Sequence, residues 1–199
     1  VVVRYRKGDI VERAVAVLDQ YGLADLSMRR LASELGLQPS ALYHHFASKQ
    51  ELLAAVADEL LERGRRPAGD DVAWDVAVVA AGHELRDAML AYRDGAELIA
   101  TVQAFGLGRV SPLVPLVRAV DRGGFAPELA RAAATTILHF VFGHVSEEQA
   151  HLQASSVGAI GDGAPAGADA ASFDLGLSLI LDGVRHHPAQ ICGEPHAFS

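Results

Sequence analysis

Three side chains could do chemistry on their own. His144, Glu147 and His151 stand at i, i+3 and i+7, which puts two imidazoles and a carboxyl on one face if the segment is helical. That spacing suits a divalent metal or an acid–base pair and defines one reading, a metal-dependent enzyme. A catalytic zinc centre also needs three ligands held by organised partners, and a polar stripe on a helix is more often a solvated or dimer face. The single cysteine, Cys192, forms no intrachain disulfide and leaves no thiol cluster for zinc or iron–sulfur chemistry. Nothing in the residues calls for a resident cofactor or metal.

The second stretch with chemical potential is residues 28–46, MRRLASELGLQPSALYHHF. Ala32 is small enough for two helices to approach, Gly36 suits a turn, and Leu42 can plug a shared core. Together these make the grammar of a helix-turn-helix, whose second helix spans ~10 Å at 1.5 Å per residue and fits a major groove. The charge distribution points the same way. The 199 residues carry a net charge of -8, but residues 1–50 hold +2 and the remaining 149 hold -10. An N-terminal segment suited to a polyanion is joined to an acidic body. A constitutive DNA-packaging protein would be strongly basic throughout, and this chain is not.

The elements that must position these residues read as helices from end to end. Val11, Ala14, Val15 and Leu18 recur at helical spacing before Gly22, which suits a left-handed cap. Ser27 is a good N-cap for a second helix, Gln38-Pro39 opens a third, and Ser48 with Glu51 predicts a capping box for a fourth. Further helices are predicted at 72–91, 93–104 with an irregularity at Gly95, about 112–121, 127–153 and 172–186. Residues 154–170 are small and Gly-rich, and read as a loop or lid. No stretch combines strand alternation with hairpin turns, so the chain is read as all-α. The longest uncharged run, Ala132 to Ser146, contains two histidines and is too short for a membrane span, and Val1 to Gly8 leads into no apolar signal core. The expectation is a cytoplasmic protein without a membrane partner.

From Ile10 to Leu60, including AVAVLDQYGLADLSMRRLASELGLQPSALYHHFASKQELLAAV, the chain resembles the TetR family of bacterial transcriptional repressors. Ala91-Tyr92-Arg93-Asp94-Gly95-Ala96, His139-Phe140 with Gly143, and Glu147-Glu148-Gln149 with His151 resemble the core of its tetracycline-repressor branch. The resemblance implies an N-terminal three-helix helix-turn-helix domain with its connecting helix over 1–66, and an effector-binding and dimerisation domain over 67–199. It implies Arg29 as a guanine-reading arginine, whose planar fork matches the paired acceptors on guanine. Gln38, Pro39, Ser40 and Ala41 become the leading edge of the recognition helix; Tyr43 and Lys49 become phosphate contacts, with His44 and His45 beside them.

For the body, the resemblance implies homodimerisation through the helices at 127–153 and 172–186, with Leu177 or Ile180 at the interface. The partners are then a palindromic double-stranded operator, a second copy and a small-molecule effector. The branch's magnesium-binding histidine corresponds to Ile99, and its drug-gripping polar groups correspond to Ala81, Val102 and Gln103, while Glu147 keeps its place. Magnesium wants oxygen ligands that Ile99 cannot supply. The expected pocket is therefore largely apolar, drawn from Leu85, Met89, Ile99, Val102, Phe105, Leu113, Leu116 and Phe140. The whole reads as a ligand-responsive repressor and not an enzyme.

Overall fold

The computed structural model describes residues 5–66, 69, 71–156, 158–159 and 167–187. Among them the backbone forms nine helices and no strand: α1 (Lys7–Tyr21), α2 (Met28–Glu34), α3 (Pro39–Tyr43), α4 (Lys49–Gly64), α5 (Trp74–Leu90), α6 (Gly95–Ala104), α7 (Leu113–Asp121), α8 (Pro127–Ser156) and α9 (Ala170–Arg185). The fold is all-α, as the periodicity predicts. Two compact units gather these helices: Val1–Arg65 with Asp87–Ser111, and Arg66–Arg86 with Pro112–Ser199. The boundary expected after residue 66 lies beside the first break, but residues 87–111 belong with the N-terminal unit and the division cuts α5. Cys192 lies outside the described residues, as do 157 and 160–166 of the expected loop.

In the N-terminal unit, the apolar positions read from spacing are the buried ones. Ile10, Ala14 and Leu18 of α1 pack with Leu52, Val56 and Leu60 of α4, all without exposed surface. Gly22 (φ +86°) ends α1, its N–H donating to the Leu18 carbonyl at 2.7 Å. The α5–α6 corner is tight. Asp94 is in the left-handed region (φ 55°), and a Cβ on Gly95 would fall 2.5 Å from the Met89 carbonyl oxygen, so only glycine fits there. The Asp94 carboxyl accepts the Leu23 N–H at 2.7 Å, tying the start of α6 to the turn after α1.

In the C-terminal unit, the 30-residue α8 buries Ala130, Ala134, Ile137, Val141 and Val145 against α7 and α9. Asp169 caps α9, accepting the Ser172 N–H at 2.8 Å. Its carboxyl is held below the usual aspartate range, first by that backbone hydrogen bond and then by the Ser172 hydroxyl. Helix α9 turns Phe173, Leu177, Leu181 and Val184 into the unit. Leu177 is 1% exposed and would lie 3.1 Å from a Cβ on Gly82 of α5, so it belongs to the chain's own core and not to a partner surface. Leu175 and Leu179 instead face outward, at 62% and 65% exposure. No helix among the described residues is long and apolar enough to cross a membrane.

Candidate nucleic-acid interface

Local rules assemble the helix-turn-helix. The Ser27 hydroxyl accepts the Arg30 N–H at 3.2 Å and starts α2; Gly36 (φ +66°) turns the chain after it; Pro39 occupies the first turn of α3, where an N–H would lack a helical partner. Leu31, Ala32, Leu42 and Phe46 are fully buried beneath. Above this core, Gln38, Pro39, Ser40 and His44 are exposed, Tyr43 is about half exposed at 52%, and Ala41 and His45 are half-buried.

Two neighbouring arginines divide the work on α2. Arg30 lies over the Tyr21 ring at 3.6 Å and pairs with Asp25 at 3.4 Å, so its guanidinium serves the fold. Arg29 is exposed one position earlier, in the first turn. Lys49 is half-buried at the start of α4.

The predicted capping box at α4 forms by half. Ser48 accepts the Glu51 N–H at 3.1 Å, but the Glu51 carboxyl reaches the Ala47 N–H at 2.8 Å and Lys7 Nζ at 2.9 Å instead of closing back on Ser48. The Lys7 contact, then the Ala47 N–H, holds that carboxyl below the usual glutamate range. Lys7 also stands over the Phe46 ring at 4.6 Å, so α1, the end of the recognition motif and α4 meet at one point.

The expected effector residues divide between the units. In the N-terminal unit Met89, Ile99 and Val102 are buried, while Gln103 donates through Nε2 to the Val110 carbonyl at 2.8 Å and Phe105 is 71% exposed. In the C-terminal unit Leu85 and Leu116 are buried, Ala81, Leu113 and Phe140 are half-buried, and Glu147 is exposed. Phe140 stacks on Phe173 at 5.6 Å, and the Gly176 backbone lies against it so closely that a Cβ would fall 2.3 Å from the ring. A half-open groove of about 430 Å³ runs between α5 and α9, floored by Val76, Val79, Leu177 and Leu181 and edged by the Asp75–Arg185 pair. None of the expected effector residues lines it.

The i, i+3, i+7 stripe does not converge. His144 bonds the Asp169 carbonyl at 3.0 Å and sits 5.3 Å from the Phe173 ring, Glu147 is exposed, and His151 is half-buried. Among the described residues no group of three or more His, Cys, Asp or Glu could hold a metal ion. The polar feature that sequence reasoning missed is next to it: Glu148, with 10% of its side chain exposed, takes a two-pronged contact from Arg86 of α5, one prong at 2.9 Å.

Residues 10–56 match the profile of bacterial regulatory proteins, tetR family, and residues 66–165 match that of the tetracyclin repressor-like C-terminal domain. The chain belongs to the tetR family. Its members are transcription factors and not enzymes, and this chain is a DNA-binding regulator of that kind. It is 34% identical to the tetracycline repressor protein class A from transposon 1721 of Escherichia coli, over 88% of each chain. Among solved structures it is similar to Mycobacterium smegmatis BioQ (41% identity, TM-score 0.84, 92% of this chain and 99% of the other). A BioQ with its natural double-stranded DNA operator is also similar (39%, TM-score 0.80, 92% and 100%). So is a singly substituted TetR from Acinetobacter baumannii AYE in complex with minocycline (34%, TM-score 0.71, 92% and 98%).

Proposed function

We propose that the protein is a ligand-responsive transcriptional repressor that binds a palindromic operator as a homodimer and leaves it when a small, largely apolar effector binds. The exposed edge of the helix-turn-helix carries this reading: Arg29, Gln38, Pro39, Ser40, Tyr43 and His44 present donors and short side chains over a core that fixes their spacing. Arg29 reads guanine and Lys49 neutralises a phosphate, with Ala41 and His45 at the flank. A tetR-family relative bound to its own operator supports the same use of this head. Residues 1–66 read DNA, and 67–199 hold the effector and the dimer contact.

Two copies are required because a recognition helix of five residues reads too few bases alone. Leu175 and Leu179 stand one turn apart on the outer face of α9, an apolar strip that a two-fold partner would cover. The effector site draws on Ala81, Leu85, Met89, Ile99, Val102, Gln103, Phe105, Leu113, Leu116, Phe140 and Glu147. With Ile99, Ala81 and Val102 where the tetracycline-repressor branch has polar groups, an apolar molecule loses no hydrogen bond there.

The test is selection of duplexes from a randomised library, followed by footprinting. Recovery of a two-fold sequence with half-sites about one helical turn apart or somewhat more supports the reading. Equal retention of all duplexes would overturn it.

A further inference from the structure

Asp58 reads in sequence as an ordinary solvated acid, opposite the Leu52, Val56 and Leu60 face of its helix, yet it is buried. It lies on α4, only 7% exposed, flanked by the buried Val56, Ala57, Leu60 and Leu61. Its carboxyl is satisfied by the segment after α6: Oδ1 accepts the N–H groups of Arg109 and Val110, both at 3.0 Å, and Oδ2 accepts that of Arg109 at 3.2 Å. The Arg109 guanidinium stands 3.6 Å from Oδ2 but is 91% exposed, so the backbone donors dominate. On the other side, Gln103 of α6 holds the Val110 carbonyl at 2.8 Å. Val110 therefore has its N–H held from α4 and its C=O from α6.

The segment itself is built for this contact. Gly106 (φ +64°) ends α6 with its N–H on the Gln103 carbonyl, and Leu107 N–H returns to Val102. A Cβ on Gly108 would fall 3.0 Å from Gln103 Nε2 and 3.2 Å from both Asp58 Oδ1 and Val102 Cγ1. Glycine lets the backbone reach the carboxyl. Nine residues, or ~14 Å, before Asp58 on the same rigid helix is Lys49, directly after the recognition motif.

We propose that Asp58 is the positioning residue through which the 106–111 segment sets α4, and with it the DNA-reading helices. A buried carboxyl with three backbone contacts tolerates few geometries, so a displacement of the segment either drags α4 or strands the buried carboxyl without its donors. The inference rests on the operator-binding reading above and names the contact that would make that binding ligand-dependent.

Because coupling between two sites is reciprocal, it is measurable from the DNA side alone. The probe is the duplex that the full-length protein selects from a randomised library, and the readout is amide hydrogen exchange at residues 107–110 with and without it. In the unsubstituted protein, duplex binding should slow exchange of the Arg109 and Val110 amides by about 5-fold or more. Asp58→Leu should abolish that dependence while the α1 and α4 amides still respond to the duplex. Asp58→Asn, which keeps one acceptor and the shape, should retain part of it, and Gly108→Ala, whose Cβ would press on the Asp58 carboxyl, should weaken the clamp without removing a charge. Asp58→Asn and Gly108→Ala carry the test if the leucine variant does not fold. A purely structural cap would lower the melting temperature but leave the duplex dependence unchanged, and that outcome overturns the proposal. Duplex-independent exchange at 109–110 in the unsubstituted protein overturns it as well. Failure to select any duplex is separate: it sinks the regulator reading first, and this inference with it.

Discussion

Replacing Leu175 and Leu179 together by serine should dissociate the protein without unfolding it. The two side chains are 62% and 65% exposed in one copy and lie on one face of α9, so a two-fold dimer would cover four of them. Fully burying a leucine is worth about 1.5 to 3 kcal/mol. Nearly two-thirds of each remains to be covered, which gives about 1 to 2 kcal/mol per side chain and about 4 to 8 kcal/mol for four. At 1.4 kcal/mol per tenfold, the dimer should weaken by about 10³- to 10⁶-fold. Sedimentation from nanomolar to micromolar concentration reads this directly, and duplex selection should disappear in step. The melting temperature of the separated chain should change little, because most of each side chain lies outside the chain's own core. Leu177→Ser is the contrast: it opens the α5–α9 contact and should lower stability whatever the oligomeric state. A doubly substituted chain that still sediments as a dimer at nanomolar concentration would refute the assignment of this face.

Arg29→Ala should cost about 1 to 3 kcal/mol of binding to the selected duplex and relax preference at one base per half-site, whereas Lys49→Ala should weaken all sequences alike; competition with randomised duplexes separates the two. Glu148→Leu removes the carboxylate that Arg86 forks onto and should destabilise the fold by up to about 3 to 5 kcal/mol in denaturant titration, while the paired change Arg86→Met with Glu148→Leu should recover part of that. Helix α9 should loosen in acid. Asp75, through Arg185 first, and Asp169, through the Ser172 N–H first, both titrate below the ordinary aspartate value, so their stabilisation is present above about pH 4 and fades as pH falls through the lowered values. Hydrogen exchange of α9 amides across that range reads it, with unchanged protection counting against the role of both carboxyls. Magnesium–tetracycline should not release the selected duplex, whereas a panel of hydrophobic metabolites should contain a compound that does; release by the chelate at micromolar concentration would contradict the apolar pocket.

The DNA-reading head was legible because its determinants are local. Ser27 and Arg30 are three residues apart, Gly36 makes its turn alone, and Leu31 and Leu42 bury where spacing puts them. The predicted capping box failed in half for a non-local reason: Lys7, 44 residues earlier, helps hold the Glu51 carboxyl away from Ser48. On α9 the limit is different. Phe173, Leu175, Leu177, Leu179, Ile180 and Val184 make the helix apolar on nearly every side, so spacing alone does not divide a core face from a partner face. The neighbours divide it: Gly82 admits Leu177, and Gly176 lets the backbone approach Phe140, which leaves Leu175 and Leu179 outside.

The same reasoning accounts for two acids whose burial the sequence does not announce. Asp58 and Glu148 look like ordinary solvated positions on amphipathic helices, and composition gives no reason to bury either. Their burial depends on donors 51 and 52 residues away for Asp58 and 62 away for Glu148. A buried carboxyl is stable only if every approach to it is matched by a donor, so its place in the sequence is set by the arrival of a distant segment, not by its own helix. Gln103 illustrates the converse. Resemblance assigns it to the effector site, and its amide instead holds the Val110 carbonyl. An effector that touched Gln103 would compete with that hydrogen bond and so act on the segment that Asp58 grips, and would then meet the DNA-reading unit through one backbone residue, Val110.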